Sequence, residues 1–271
     1  MPHLDVFGAS LYYETDGSPG SPPLLLIHAG VATLRMWDEQ VTALAHHHYV
    51  IRYDTRGFGE TTAQSIPYSD ADDAAAILDH LGVTTATVIG ASRGGRIAID
   101  LALSQPERVR GIAVLCSNPG GFPDDALTDR EQQLFDDLDA REAAGEWEKL
   151  LRGEVEVWTF GPERSADDLD PAFVARAYAL ALANIEHGDN QPAGIPLDPP
   201  AYGRVDEITV PALVTVGGFD ISPMIRAYEY LLATLPLATG HVFRTAAHLP
   251  NVEVPDETET VLLEWLDSHA L

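Results

Sequence analysis

One cysteine, one lysine and no long apolar run are what this 271-residue chain has in short supply. The lone thiol, Cys116, has no partner for an intrachain disulfide. It closes the apolar run Ile112-Ala113-Val114-Leu115 and reads as a buried, inert side chain. Basic residues number 16 against 42 acidic ones, a formal net charge of −26. A surface so charged repels phosphate backbones and anionic bilayers, which excludes nucleic acid and membrane as partners. Lys149 is the only lysine. No stretch approaches the roughly 20 apolar residues of a membrane span, and Met-Pro-His-Leu-Asp lacks the features of a signal peptide, so cytoplasmic residence is expected. Neither Gly-x-Gly-x-x-Gly nor a P-loop is present, so no cofactor is expected. Nor is a metal: the consecutive His46-His47-His48 cannot all face one ion and reads as solvent-exposed.

What the chain does have is alternation. Hydrophobic content of 45% supports a real core, and the length fits one α/β domain with an inserted subdomain. Residues 3–15 read as a hairpin around Gly8-Ala9-Ser10. Leu24–Ile27, Tyr49–Tyr53, Thr87–Ala91 and Val109–Leu115 read as strands, most of them continuous apolar runs that suit a parallel sheet covered on both faces. Helical spacing separates them over Arg35–Ala45, Ser69–Leu81 and the stretch after Ser92. From about Asn118 to Pro200 no core strand is evident, acids are dense, and Thr128–Leu151 and Pro171–Ile185 look helical. The α/β pattern resumes with strands at Ala212–Val216 and His241–Phe243, a helix over Ser222–Ala233 and a last helix over Asp256–Leu266. The expected division is a core of residues 1–117 and 201–271 with a helical cap over 118–200, as a monomer or homodimer.

The chemistry centres on Gly90-Ala91-Ser92-Arg93-Gly94, a Gly-x-Ser-x-Gly that ends a β-branched strand and opens a helix. Strand, sharp turn and helix are what a nucleophile elbow requires, with the serine on a strained backbone at its tip. A serine hydroxyl needs a base, and the base an orienting acid. On a parallel sheet these partners lie past the carboxyl ends of later strands, in the order acid then histidine. Asp220, past Val214-Thr215-Val216, fits the acid, or else caps the helix beginning near Ser222. His248, past His241-Val242-Phe243, fits the base, or else is a surface histidine. Backbone N–H groups of Arg93 and of Gly30, in the loop after Leu24–Ile27, fit an oxyanion hole, with His28 holding that loop. Asp54 and Arg56 read as local loop braces, and Asp72-Asp73 and Asp136-Asp137 as solvated helix faces.

Gly90 to Gly95, Asp220 and His248, in this order and spacing, resemble the α/β-hydrolase superfamily. Leu26-Ile27-His28-Ala29-Gly30, Met36–Gln40, Arg52–Gly59 and Ala247–Glu253 are similar to its capped bacterial esterase and 3-oxoadipate enol-lactonase-like branch. The resemblance implies an α/β-hydrolase fold, a Ser92–His248–Asp220 triad, an acyl-enzyme, and a small carboxylic ester or lactone as substrate. C–C bond, amide or perhydrolase chemistry on the same triad, a non-catalytic binding protein, and a scaffold role for the acidic cap are the alternatives. Arg93 stands where that branch commonly has an apolar residue; its guanidinium is expected either to meet a substrate carboxylate or to pair with a cap acid. Trp158, Phe160 and Tyr178, with Trp147 and Phe173, are expected to line or roof an apolar substrate pocket, core packing being the alternative.

Overall fold

The computed structural model describes residues 2–123, 127–188, 192 and 194–271. The chain opens on an antiparallel hairpin, β1 (His3–Val6) and β2 (Ala9–Asp16), turning at Phe7-Gly8. There follow β3 (Pro23–Ile27), α1 (Asp38–Leu44), β4 (Tyr49–Tyr53), the short β5 (Thr62–Ala63) and α2 (Asp70–His80). Next come β6 (Ala86–Ala91), α3 (Arg93–Ser104) and β7 (Val109–Leu115). Three helices separate β7 from the next strand: α4 (Asp129–Ala143), α5 (Trp147–Glu154) and α6 (Pro171–Leu182). Then β8 (Ala212–Gly217), α7 (Ser222–Thr234), β9 (Ala238–Phe243), α8 (Pro250–Glu253) and α9 (Pro255–His269) complete the chain.

The sheet runs β1-β2-β4-β3-β6-β7-β8-β9, with β5 also paired to β2. From β4 to β9 every pairing is parallel; β1, β2 and β5 pair antiparallel. Period-two alternation sends successive side chains of the central strands to opposite layers. Leu25 and Ile27 of β3 pack with Val88, Val114 and the apolar faces of α2 and α3. Leu24 and Leu26 pack with Ile89, Leu115, Trp37 and the Leu262, Trp265 and Leu266 face of α9. Both faces being covered is why these strands carry no polar alternation.

Local signals set most boundaries. Ser69 accepts a hydrogen bond from the Asp72 N–H at 3.1 Å and starts α2, while Gly82, at φ +70°, turns the chain beyond its end. The helix expected over Thr128–Leu151 is two, broken at Gly145, which takes φ +68°. α5 then widens into a π-type turn over Val155–Phe160, which the spacing did not predict. Among the described residues, 118–200 contribute no strand to the sheet.

Two expectations about charged and titratable residues are corrected. His48 is buried, not exposed: its ring nitrogens lie 3.1 Å from the Leu44 and Leu271 carbonyl oxygens, fastening the chain's last residue to the end of α1. Asp73 is also buried, and it receives two hydrogen bonds from Arg56 at 2.7 and 2.8 Å. Arg56 therefore braces α2 across space, while Asp54 braces its own loop through the Glu60 N–H and also accepts the Leu34 N–H of the segment after β3. Among the described residues no helix is long and apolar enough to cross a membrane.

Candidate active site

Ser92 stands between the end of β6 and the first turn of α3 with φ 51° and ψ −117°, a conformation that a residue with a side chain adopts only under constraint. The constraint is visible in its neighbours. A Cβ on Gly90 would sit 2.1 Å from the Gly94 carbonyl oxygen, and one on Gly94 would sit 2.2 Å from the Ile27 carbonyl oxygen. Only glycines let α3 approach β6 and β3 this closely. The Ser92 N–H donates to the Leu115 carbonyl at 2.8 Å, and the Ser117 hydroxyl donates to the Ser92 carbonyl at 2.5 Å.

The two loops expected to carry partners converge on this turn. His248 Nε2 lies 2.7 Å from Ser92 Oγ, and His248 Nδ1 lies 3.0 and 2.9 Å from the two Asp220 carboxylate oxygens. His248 and Asp220 are both buried, so this chain is shielded from water on its inner side. Asp220 also accepts the N–H of the adjacent Ile221 at 2.8 Å, but the N-cap position of α7 is Ile221 and no side chain caps it, so Asp220 does not cap the helix. Cys116, buried beside Asp220, has its thiol pushed well above the ordinary range by burial and by that carboxylate, in keeping with an inert thiol.

The loop after β3 carries Gly30, which lines the cavity over Ser92 together with Arg93. His28 is wholly buried in that loop; its Nδ1–H donates to the Ala29 carbonyl at 2.8 Å and its Nε2 accepts the Thr55 N–H at 2.9 Å. Burial pushes its pKa down to about 4, which keeps the ring neutral in this structural role.

Of the aromatic residues expected around the pocket, only some reach it. Trp158 lines it, packs against the His248 ring at a centroid distance of 4.7 Å and a tilt of 46°, and its carbonyl accepts the His248 backbone N–H at 3.3 Å. Trp147 lies farther out on the larger cavity. Phe160 lines neither cavity: it is fully buried against Phe173 and Tyr178. Tyr178 faces away too, donating its hydroxyl to Glu156 at 3.1 Å beneath Arg152. Side chains two apart on a helical turn do not share a face, so Trp158 and Phe160 part company on the π-type turn. Arg93 forms an ion pair as expected of one alternative, but with a different partner: Asp70 of α2 at 2.7 Å, with the Tyr68 hydroxyl at 2.9 Å, and among the described residues no acid of the helical segment.

A network absent from the expectations fastens the loops that bear Asp220 and His248. Arg164 donates to Glu253 at 2.7 and 3.0 Å, to the Thr245 carbonyl at 3.0 Å, and lies 4.5 Å over the Phe219 ring. Glu253 in turn accepts the Ala247 N–H at 2.9 Å. Removing one member of a largely buried pair strands the other charge. Arg164→Ala should therefore cost about 2–4 kcal/mol of stability, read as a lowered urea midpoint, and should loosen the segment before His248.

Two cavities meet at Ser92. A chamber of about 290 Å³ is lined by Ser92, Arg93, Arg96, Trp158 and Met224, among others. A larger cavity reaches outward past Asp72, Asp100, Asp139, Glu142 and Glu154. Burial pushes Glu154 up to about 7, helped by the nearby Glu142 carboxylate. A carboxyl group raised on folding favours the native state at low pH; that contribution is fully present below the ordinary value of 4.5 and is lost as pH rises through about 7. Glu154→Gln should therefore raise the melting temperature at pH 8 and do much less at pH 5, with a difference on the order of 1–3 kcal/mol. Equal shifts at the two pH values would contradict this.

A family model described as the alpha/beta hydrolase fold matches residues 22–255. The 3-oxoadipate enol-lactonase 2 of Acinetobacter baylyi is 29% identical over 254 residues, covering 91% of this chain and 89% of that protein. A pimeloyl-[acyl-carrier protein] methyl ester esterase of Pectobacterium atrosepticum is 27% identical, covering 94% and 98%. Among solved structures, the enol-lactonase from Burkholderia xenovorans superposes with a TM-score of 0.73 at 25% identity, covering 98% of this chain and all of that one, 100%.

Proposed function

The chain belongs to the α/β-hydrolase fold family, and on that premise we propose that it is a serine esterase or lactonase that cleaves small carboxylic esters through Ser92, His248 and Asp220. The observation that carries this reading is the unbroken hydrogen-bonded line from Ser92 Oγ through the His248 ring to the Asp220 carboxylate. The esterase and lactonase names of its relatives favour ester and lactone substrates over the other chemistries this arrangement can perform.

In the first step His248 Nε2 accepts the Ser92 hydroxyl proton as Oγ bonds to the carbonyl carbon. The Nδ1–H, held by Asp220, stabilises the imidazolium that forms. Charge on the carbonyl oxygen is met by the backbone N–H groups of Arg93 and Gly30. Arg93 opens α3, where an unsatisfied N–H and the positive end of the helix dipole coincide. Each such donor is worth about 3 kcal/mol in comparable sites. Collapse breaks the ester C–O bond, and the leaving alkoxide takes the proton back from His248. A water then gives its proton to His248, attacks the acyl carbonyl, and frees the acid and Ser92.

Residues 118–200 are read as a cap that roofs the site, with Trp158 as its contact to the histidine. A panel of methyl and p-nitrophenyl esters of increasing acyl length, together with five- and six-membered lactones, tests the proposal. Turnover of short esters or lactones by the wild type, lost on replacing Ser92, is the expected outcome. Inactivity across the whole panel would count against it.

A further inference from the structure

The two arginines of the chamber beside Ser92 differ in what already holds them. The Arg93 guanidinium is matched by Asp70 and Tyr68 and lies 5.5 Å over the Phe58 ring. Its charge is spent within the fold. Arg96, one helical turn farther along α3, is exposed yet lines both cavities, and its hydrogen-bond partner is the neutral amide oxygen of buried Asn118. Among the described residues no carboxylate comes within ion-pair distance of it. Asp100, the next acid along α3, stays outside that distance; burial pushes it up to about 6 against the opposing pull of the Arg96 charge.

The chamber is unlike the larger cavity. Its apolar walls are Leu127, Phe135, Trp158, Ile221, Pro223 and Met224, and among the described residues no acidic side chain lines it. The acids gather outward, on the larger cavity. A compartment walled largely by apolar side chains and bordered by a guanidinium that has no ion pair among the described residues, in a chain of net charge −26, suits an anion on a short apolar arm.

We propose that Arg96 is a specificity-determining residue that binds a carboxylate of the substrate, so that the preferred ester or lactone carries a free carboxylate a short apolar arm from the carbonyl that Ser92 attacks. Four residues of helix separate the two positions, a rise of about 6 Å, which a three-methylene arm spans. Asn118 holds the guanidinium plane in place for the incoming carboxylate. The substrate chemistry rests on the reading of Ser92 as nucleophile; the binding claim does not.

The test compares monomethyl glutarate with methyl pentanoate, which share a five-carbon acyl chain and differ in the terminal carboxylate. The wild type should favour the glutarate ester by at least about 10-fold in kcat/KM. Arg96→Gln should lower that ratio by about 10- to 100-fold, chiefly through the KM for the glutarate ester, and Arg96→Lys should recover part of it. In parallel, Ser92→Ala should bind monomethyl glutarate, followed calorimetrically, at least about 10-fold more tightly than Ser92→Ala/Arg96→Gln does. A ratio and an affinity both indifferent to Arg96 would overturn the assignment. Absent hydrolysis with Arg96-dependent binding retained would instead overturn the catalytic role of Ser92 and leave the carboxylate site standing.

Discussion

Ser92→Ala should lower the turnover of p-nitrophenyl acetate by about 10⁴-fold or more, with thermal unfolding and circular dichroism close to wild type. The size of the loss follows from the position of Oγ. It is the atom 2.7 Å from His248 Nε2, and nothing else in the turn can take its place as a nucleophile: Ser117 directs its hydroxyl to the Ser92 carbonyl, and the thiol of Cys116 is buried with its proton held tightly. The fold should tolerate the change because alanine at φ 51° bears the same backbone strain as serine, and the Ser92 N–H and carbonyl keep their partners. Residual activity, from the oxyanion donors and binding alone, should stand above the uncatalysed rate.

Asp220→Asn should be nearly as damaging, with a loss of about 10⁴-fold in kcat near neutral pH. The carboxylate lies within 3.0 Å of His248 Nδ1 through both oxygens and so can only accept, which fixes the proton on Nδ1 and leaves Nε2 free to take one from Ser92. An amide can turn its NH₂ toward Nδ1, which moves the proton to Nε2 and removes the base. The other contact of the side chain, the Ile221 N–H at 2.8 Å, is then served or lost according to the amide's orientation. A structural role alone would predict lowered stability with turnover largely kept; the kcat measured beside the urea midpoint separates the two.

Much of this was legible in the sequence because the signals were local. Gly90, Ser92 and Gly94 announced a strand–turn–helix whose backbone crowding the structure makes explicit. The alternation of apolar runs with helical spacing implied a mostly parallel sheet, and the positions past the Ala212–Val216 and His241–Phe243 strands pointed to Asp220 and His248. What escaped was long-range. Arg93 and Asp70 lie 23 residues apart, and Arg164 and Glu253 lie 89 apart. No periodicity encodes such pairs. The buried state of His48 depends on the carbonyl of the chain's last residue, 223 positions away. Trp158 and Phe160 looked alike as nearby aromatics; the π-type turn after α5 sends one to His248 and the other into the packing against Phe173. Arg96 escaped for a different reason. Its distinguishing feature is that among the described residues no carboxylate forms an ion pair with it, which depends on contacts in space and not on sequence spacing.

The most direct test of Ser92 as an activated nucleophile is covalent capture. Incubation with a fluorophosphonate, followed by proteolysis and mass spectrometry, should place a single phosphonyl adduct on the Ser92 hydroxyl, with no adduct in Ser92→Ala and much slower labelling in His248→Ala. Labelling that falls elsewhere, or a wild-type protein that stays unmodified while folded, would contradict the central claim.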